Sequence, residues 1–337
     1  MTTLTSILPD HSTTNYGFEK RDISCNPKHT PVLVQQIIDG LMVKSGGSYV
    51  DGTLGGGGHT EKILRHCAPN GKVLAFDLDL TAIKAARDRF KQFTSNLSII
   101  HGSYSNMRDH AHSIDFGSAD GVLLDLGFSS IQLDSSGKGF SFLKDEPLDM
   151  RFDTTGPKAS DLVNNMPEKE LALLIYRYGE ERKSRVIARA IINNRPIHSS
   201  SQLGNLIFKI LGRRKENIHP ATRTFQALRI AVNHELDNLR QGLDQAISLL
   251  SPYGRLAVIS YHSLEDRMVK TVFREGSSNC ICPPDLDVCG CQHKASIQLV
   301  TRKVVRPTFD EVLSNPRSRS AKLRIVQKLP KEITHKS

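Results

Sequence analysis

The sequence predicts an α/β fold, a parallel sheet with crossover helices interrupted by an inserted helical domain. Three observations carry this. Short apolar runs alternate with amphipathic stretches through the first half of the chain, the rhythm of strand–helix–strand units. From about residue 135 to 222 that rhythm stops, and helical stretches continue without a convincing strand. Beyond 222 it resumes. The boundaries read this way are 1–22 as a disordered tail, 23–134 and 223–330 as the sheet domain, and 135–222 as the insertion.

In order, residues 31–41 predict a helix with Val32, Leu33, Ile37 and Leu41 on its apolar side. A strand is expected at 48–51, then a Gly-rich turn and a helix over 60–67. Strands at 73–77 and 97–101 flank a helix at 81–93. Residues 119–126 are as apolar as a central parallel strand should be. Within the insertion, 168–178 and 182–193 are amphipathic. One long helix is expected at 225–250, then a strand at 255–260, a helix at 264–274, and a final hairpin from 297–303 and 321–327.

With no Trp and only 6% aromatic residues, aliphatic side chains must fill the core. No apolar run is long enough to span a bilayer, so no membrane association is expected. The first 22 residues are polar, without the apolar stretch of a secretory signal. A cleaved transit peptide is the alternative, opposed by Asp10, Glu19 and the lack of Arg before Arg21. Lys and Arg outnumber Asp and Glu by 45 to 35. That excess favours a polyanionic partner, nucleic acid being the simplest. Six Cys without an export signal argue for a reducing compartment, hence the cytoplasm.

The segment from Tyr49 to His59, Y-V-D-G-T-L-G-G-G-G-H, ends a strand, turns on glycines and opens a helix. Glycines let backbone approach a ligand closely, and the helix start offers free N–H groups. The dinucleotide fingerprint fails, because Thr60 stands where its third Gly belongs, and no P-loop Gly-Lys-Ser/Thr is present. What remains, an acid followed by Gly-x-x-Gly-x-Gly, resembles the first motif of class I methyltransferases, whose ligand is S-adenosyl-L-methionine. Asp77 ends the next strand, where a carboxylate can accept both ribose hydroxyls. Tyr104, just past the third strand, is placed either over the adenine or in ordinary packing.

The fourth strand ends in Leu123-Leu124-Asp125-Leu126-Gly127-Phe128. Asp125 is read either as a structural cap or as an acceptor for an exocyclic amine. The N4 of cytosine is a poor nucleophile because its lone pair is delocalised into the ring. A carboxylate accepting its N–H favours a pyramidal nitrogen, and transfer then needs mainly positioning. Amino-methylating enzymes usually carry Asp/Asn-Pro-Pro-aromatic here. In this chain only the acid and Phe128 remain of that motif.

Longer segments extend the likeness. They include Lys28 to Leu33, Asp51 to His59, Leu123 to Asp134, Gly139 to Phe142, Pro147 to Arg151, Tyr178 to Arg182, His219 to Ala227, Ser260 to Arg267 and Asn315 to Ser320. Together they resemble the bacterial 16S rRNA (cytosine-N4)-methyltransferase family of the MraW type, over about residues 28–326. The resemblance implies a Rossmann-like class I methyltransferase sheet with an inserted helical domain. It implies methyl transfer to N4 of a decoding-centre cytosine in 16S rRNA within the small ribosomal subunit, and is compatible with a homodimer. Carried over by motif, the cofactor contacts are Gly57, Gly58, His59, Asp77, Tyr104, Asp125 and Gln132, with Asp125 also the catalytic candidate. Departures are Phe128 where the family usually has Val, Ile131 for Pro, and Tyr261 for Phe.

RNA contacts are expected from Arg182, Arg185 and Arg189 at helical spacing, from Arg213-Arg214-Lys215, and from Arg317, Arg319, Lys322 and Arg324. Each cluster could equally be a solvated charged face. Arg223 and His262 are candidates to approach the base, and Asp149 with Arg151 a structural pair. Cys280-x-Cys282, then Cys289-x-Cys291 after six residues, suggest a structural zinc site. The one-residue spacing within each pair is unusual for zinc, so free thiols or redox pairing are expected over a bound metal, and any metal there would be structural rather than catalytic. The rival functions are a DNA amino-methyltransferase and a noncatalytic RNA-binding protein.

Overall fold

A computed structural model describes residues 31–127, 137–212, 218–283, 286 and 288–330. The expected tail, Gln132, Phe128, Ile131 and the Arg213-Arg214-Lys215 cluster lie outside them.

Helix α1 (Val34–Leu41) leads into β1 (Ser48–Asp51), α2 (Gly58–Cys67), β2 (Lys72–Asp77), α3 (Leu80–Arg89), β3 (Leu97–His101), α4 (Met107–Ser113) and β4 (Ala119–Asp125). After the helices α5 (Ala159–Asn165), α6 (Glu168–Gly179), α7 (Ser184–Asn193), α8 (Ser200–Leu211), α9 (Thr222–Asn233) and α10 (Glu235–Leu249), the sheet resumes. It continues through β5 (Leu250–Ser260), α11 (Ser263–Gly276), β6 (Ile297–Leu299), α12 (Phe309–Ser314) and β7 (Lys322–Lys328).

The seven strands lie in the order β3-β2-β1-β4-β5-β7-β6. Strands β1 to β5 pair in parallel, and β7 runs antiparallel between β5 and β6. Side chains alternate across β4. Val122 and Leu124 join a core with Met107 and Ala111 of α4, Leu243 of α10 and Phe273 of α11. Leu123 faces the opposite core, with Ile37 of α1, Ile63 of α2 and Ala86 of α3. Both faces are therefore covered, which is why β4 reads as an unbroken apolar run. A third core joins α5 to α9, from Phe140 to Val232.

The expected long helix at 225–250 is two helices. The chain breaks at His234, in the left-handed region with φ 50°, which ends α9 and starts α10. The apolar periodicity runs through the break, so composition gave no stop signal. Strand β5 begins at Leu250 rather than 255, with a register irregularity opposite Ala119 and Gly121. The expected hairpin is an antiparallel β6–β7 pair, but α12 intervenes between its strands.

Candidate active site

Strand β1 delivers Asp51 to a buried position, where its carboxylate is used to shape the turn. Oδ2 accepts from the Thr60 hydroxyl at 2.6 Å, and Oδ1 accepts from the Thr53 N–H at 3.1 Å. The Thr53 hydroxyl accepts in turn from the Asp125 N–H at 2.7 Å. The Gly52 N–H donates to Leu123 O at 2.9 Å and the Leu54 N–H to Phe76 O at 2.8 Å, fixing the loop to β4 and β2. Gly57 sits at φ 74° as the residue before α2, and a Cβ there would fall 2.7 Å from the Phe90 ring. Its own N–H donates to Leu54 O. Gly57 thus makes the turn without forming part of the cavity wall, whereas Gly52, Gly55 and Gly58 do line it.

The loop borders a cavity of about 870 Å³ at the carboxyl ends of β1, β2 and β4. That is large enough for a drug-sized ligand. Asp77 lies on its wall. One oxygen accepts from the Gly55 N–H at 2.8 Å and the other from the Asp79 N–H at 2.8 Å. Burial outweighs these amides and pushes the carboxyl up to about 6. Tyr104 follows β3, and its ring lines the cavity while packing against Gly242 of α10, where a Cβ would lie 2.4 Å from Cδ2. The ring therefore borders the cavity and packs against α10 at once.

Asp125 ends β4 on the same cavity. Its Oδ1 accepts from the Tyr261 hydroxyl at 2.8 Å, and its Oδ2 lies 3.4 Å from His59 Nδ1. The other ring nitrogen of His59 is 2.8 Å from Val32 O. A carbonyl only accepts, so Nε2 must carry the proton. Burial pushes the Asp125 carboxyl up to about 6, against the pull of His59 and Tyr261 and with the help of neighbouring Asp51 and Glu265.

Across the cavity stands a charged group that sequence reading did not single out. Glu265, fully buried in α11, accepts from the Tyr261 and His262 N–H groups at 2.8 and 3.2 Å. Burial alone would raise it; His262, Arg229 and the Tyr261 amide hold it below the usual range. Arg229 meets Glu235 with two hydrogen bonds of 2.7 and 2.9 Å. His262 caps α11, its Nδ1 accepting from the Glu265 N–H at 3.3 Å. Its Nε2 is 3.1 Å from Glu265 Oε1, an electrostatic contact without hydrogen-bond geometry. Phe140, Phe142, Met150 and Phe152 supply an apolar wall from the helical segment. The 139–142, 147–151 and 260–267 motifs hold several of these residues, but Arg229 and Glu235 carried no signal, because their pairing depends on the chain reversal at His234.

Arg223 does not line this cavity. It lies in an adjoining cleft of about 670 Å³ with Arg177, Glu180, Arg182 and Arg267. Arg182 precedes α7, so it is not in helical register with Arg185 and Arg189. Lys322 and Arg324 are both bound to Asp266, at 3.1 and 2.8 Å. That occupies two cations expected at RNA. Asp149 and Arg151 form the expected pair, at 2.8 and 2.9 Å.

The strand order, the glycine loop and the two wall carboxylates define a class I methyltransferase. The MraW methylase family model matches residues 26–329. A ribosomal RNA small subunit methyltransferase H from Dehalococcoides mccartyi is 48% identical over 303 residues, spanning 89% of this chain and 86% of that protein. One of the same name from Thermomicrobium roseum is 47% identical over 305 residues, spanning 89% and 94%. A solved rRNA methylase from Streptococcus thermophilus aligns at 12% identity with a TM-score of 0.39, over 88% of this chain and 93% of that one. The chain belongs to the MraW methylase family. Its cofactor is S-adenosylmethionine. Among the described residues, no helix is long and apolar enough to cross a membrane.

Proposed function

We propose that this protein methylates the exocyclic N4 of a decoding-centre cytosine in 16S rRNA, within the small ribosomal subunit and in the cytoplasm. The bound cofactor supplies an electrophilic methyl on a sulfonium. Asp77 accepts the ribose hydroxyls, Tyr104 flanks the adenine, and the backbone of Gly55 and Gly58 bounds the site. Gly57 contributes by setting the turn, and His59 by holding Asp125. Gln132, outside the described residues, joins the contacts through the family motif.

The observation that carries the target assignment is the Asp125 carboxylate on the cavity wall with an elevated proton affinity. In its ionised form it accepts an N–H of the amine, turning the nitrogen lone pair toward the methyl group. Methylation would leave the amine with a surplus proton, which Asp125 would accept. His262 lines the same wall, with its Nε2 held 3.1 Å from Glu265 Oε1. The helical segment 135–222 is read as an inserted domain closing the cavity, and the cleft holding Arg177, Arg182 and Arg223 as a phosphate-binding surface.

The test is to incubate unmodified small subunits, free 16S rRNA and duplex DNA with labelled cofactor, then digest to nucleosides. Label in N4-methylcytidine from small subunits is expected. Label at C5 or on ribose would reject the amine assignment, and label in DNA alone would reject the RNA target.

A further inference from the structure

The cysteine cluster lies far from the methyl-transfer chemistry. Helix α11 starts at the cavity with its cap His262 and runs 14 residues to Gly276, about 21 Å at 1.5 Å per residue. The connection from there to β6 carries Cys280, Cys282, Cys289 and Cys291, all with free thiols. It also exposes Ile281, Leu286 and Val288, so among its described residues the segment has no apolar core of its own. Its base is tied down. The Ser296 N–H donates to Gly276 O at 2.9 Å, His293 Nε2 lies 2.9 Å from Glu275 O, and the Ala295 N–H donates to Asn279 at 3.2 Å. Above that base, among the described residues, the four sulfurs converge.

Their geometry is specific. All four sulfurs lie within 4.8 Å of one another. The Cys289 and Cys291 sulfurs are 3.5 Å apart, and those of Cys291 and Cys280 are 3.8 Å apart. Four thiolates around one zinc at about 2.3 Å would stand about 3.8 Å from each other on the edges of a tetrahedron. The Cys282 N–H points at the Cys280 sulfur at 3.4 Å. An iron–sulfur cluster spreads its thiolates over separate irons and needs a wider cage. We propose that Cys280, Cys282, Cys289 and Cys291 form a mononuclear structural zinc site that clamps the loop between α11 and β6. The ion replaces the missing core of the loop, as metals do in small segments that cannot bury enough apolar surface.

The experiment is elemental analysis of the full-length chain, purified without a metal-binding tag. One zinc per chain is expected, and its loss in the double variant Cys280→Ser/Cys289→Ser. S-adenosylmethionine affinity of the same variant is expected to stay within twofold of the parent, because the cavity is remote from the loop. If that affinity also collapses, the parent protein decides: after replacement with cobalt(II), the absorption of a tetrahedral tetrathiolate complex supports the site, and its absence overturns it. Zinc retained by the double variant, or a metal-free parent with reactive thiols or disulfides at these positions, would overturn the proposal outright.

Discussion

Asp125 and His59 meet at 3.4 Å through an oxygen and a nitrogen that share no proton in their simplest forms. Val32 O holds the imidazole proton on Nε2, leaving a lone pair on Nδ1 facing the carboxylate. The fold has thus built a proton-accepting site at the end of β4, where the reacting amine is proposed to lie.

That arrangement sets the pH dependence. Asp77 and Asp125 both titrate near about 6, raised by burial. The kcat/KM for small subunits should fall below pH 6, by about tenfold per pH unit for each carboxylate required in ionised form. Stability should move the other way. A carboxyl raised in the folded state contributes fully when protonated, below its unfolded value near 4, and loses that contribution as pH rises through about 6. Glu265 and Asp266, held below the usual range, lose theirs only at lower pH. Melting temperature should therefore rise from pH 7 to pH 5 while activity declines; parallel loss of both would contradict the assignment.

Asp77→Ala should weaken S-adenosylmethionine binding by about 1–3 kcal/mol, the cost of leaving ribose hydroxyls unpaired. It also leaves the Gly55 and Asp79 amides without their acceptor. Calorimetric titration reads the effect directly, and unchanged affinity would remove Asp77 from the site.

Tyr261→Phe deletes the hydroxyl that donates to Asp125 at 2.8 Å. Because that hydrogen bond favours the carboxylate, its loss should move the acid limb of the pH–rate profile upward. Cofactor affinity at pH 8 should stay within about threefold, less than the loss of one net hydrogen bond to a charged group. An unmoved acid limb would show that Asp125 does not govern it.

Gly242→Ala places a methyl carbon against the Tyr104 ring, where the present separation would be 2.4 Å. The ring must shift toward the cavity, at a cost of about 1–3 kcal/mol for overpacking. Cofactor affinity should drop more than for Gly46→Ala, where no atom lies near; equal effects would show that Tyr104 does not bound the ligand.

The central strands were legible because they are buried on both faces, and the edge strand because its apolar run is bounded by turns. Ser48–Asp51 and Leu97–His101 fall where apolar runs and flanking turns placed them. The break at His234 was not legible, since a non-glycine residue adopts the left-handed conformation inside an uninterrupted apolar period. In the candidate site, Asp77 and Asp125 were readable as acids closing strands. The pairing of Arg229 with Glu235, and the burial of Glu265 beside His262, depend on how α9, α10 and α11 converge. No local spacing encodes that. Lys322 and Arg324 illustrate the opposite error: a basic run looked available until Asp266 of α11 claimed both cations.

The most direct test of the chemistry is single-turnover methyl transfer to small subunits by Asp125→Asn, with cofactor affinity measured on the same preparation. The amide keeps the shape but cannot take a proton from the amine. The account predicts transfer slowed by about 10²–10⁴-fold, with S-adenosylmethionine still bound within about threefold of the parent. Transfer at the parental rate, or a loss explained entirely by weaker cofactor binding, would contradict it.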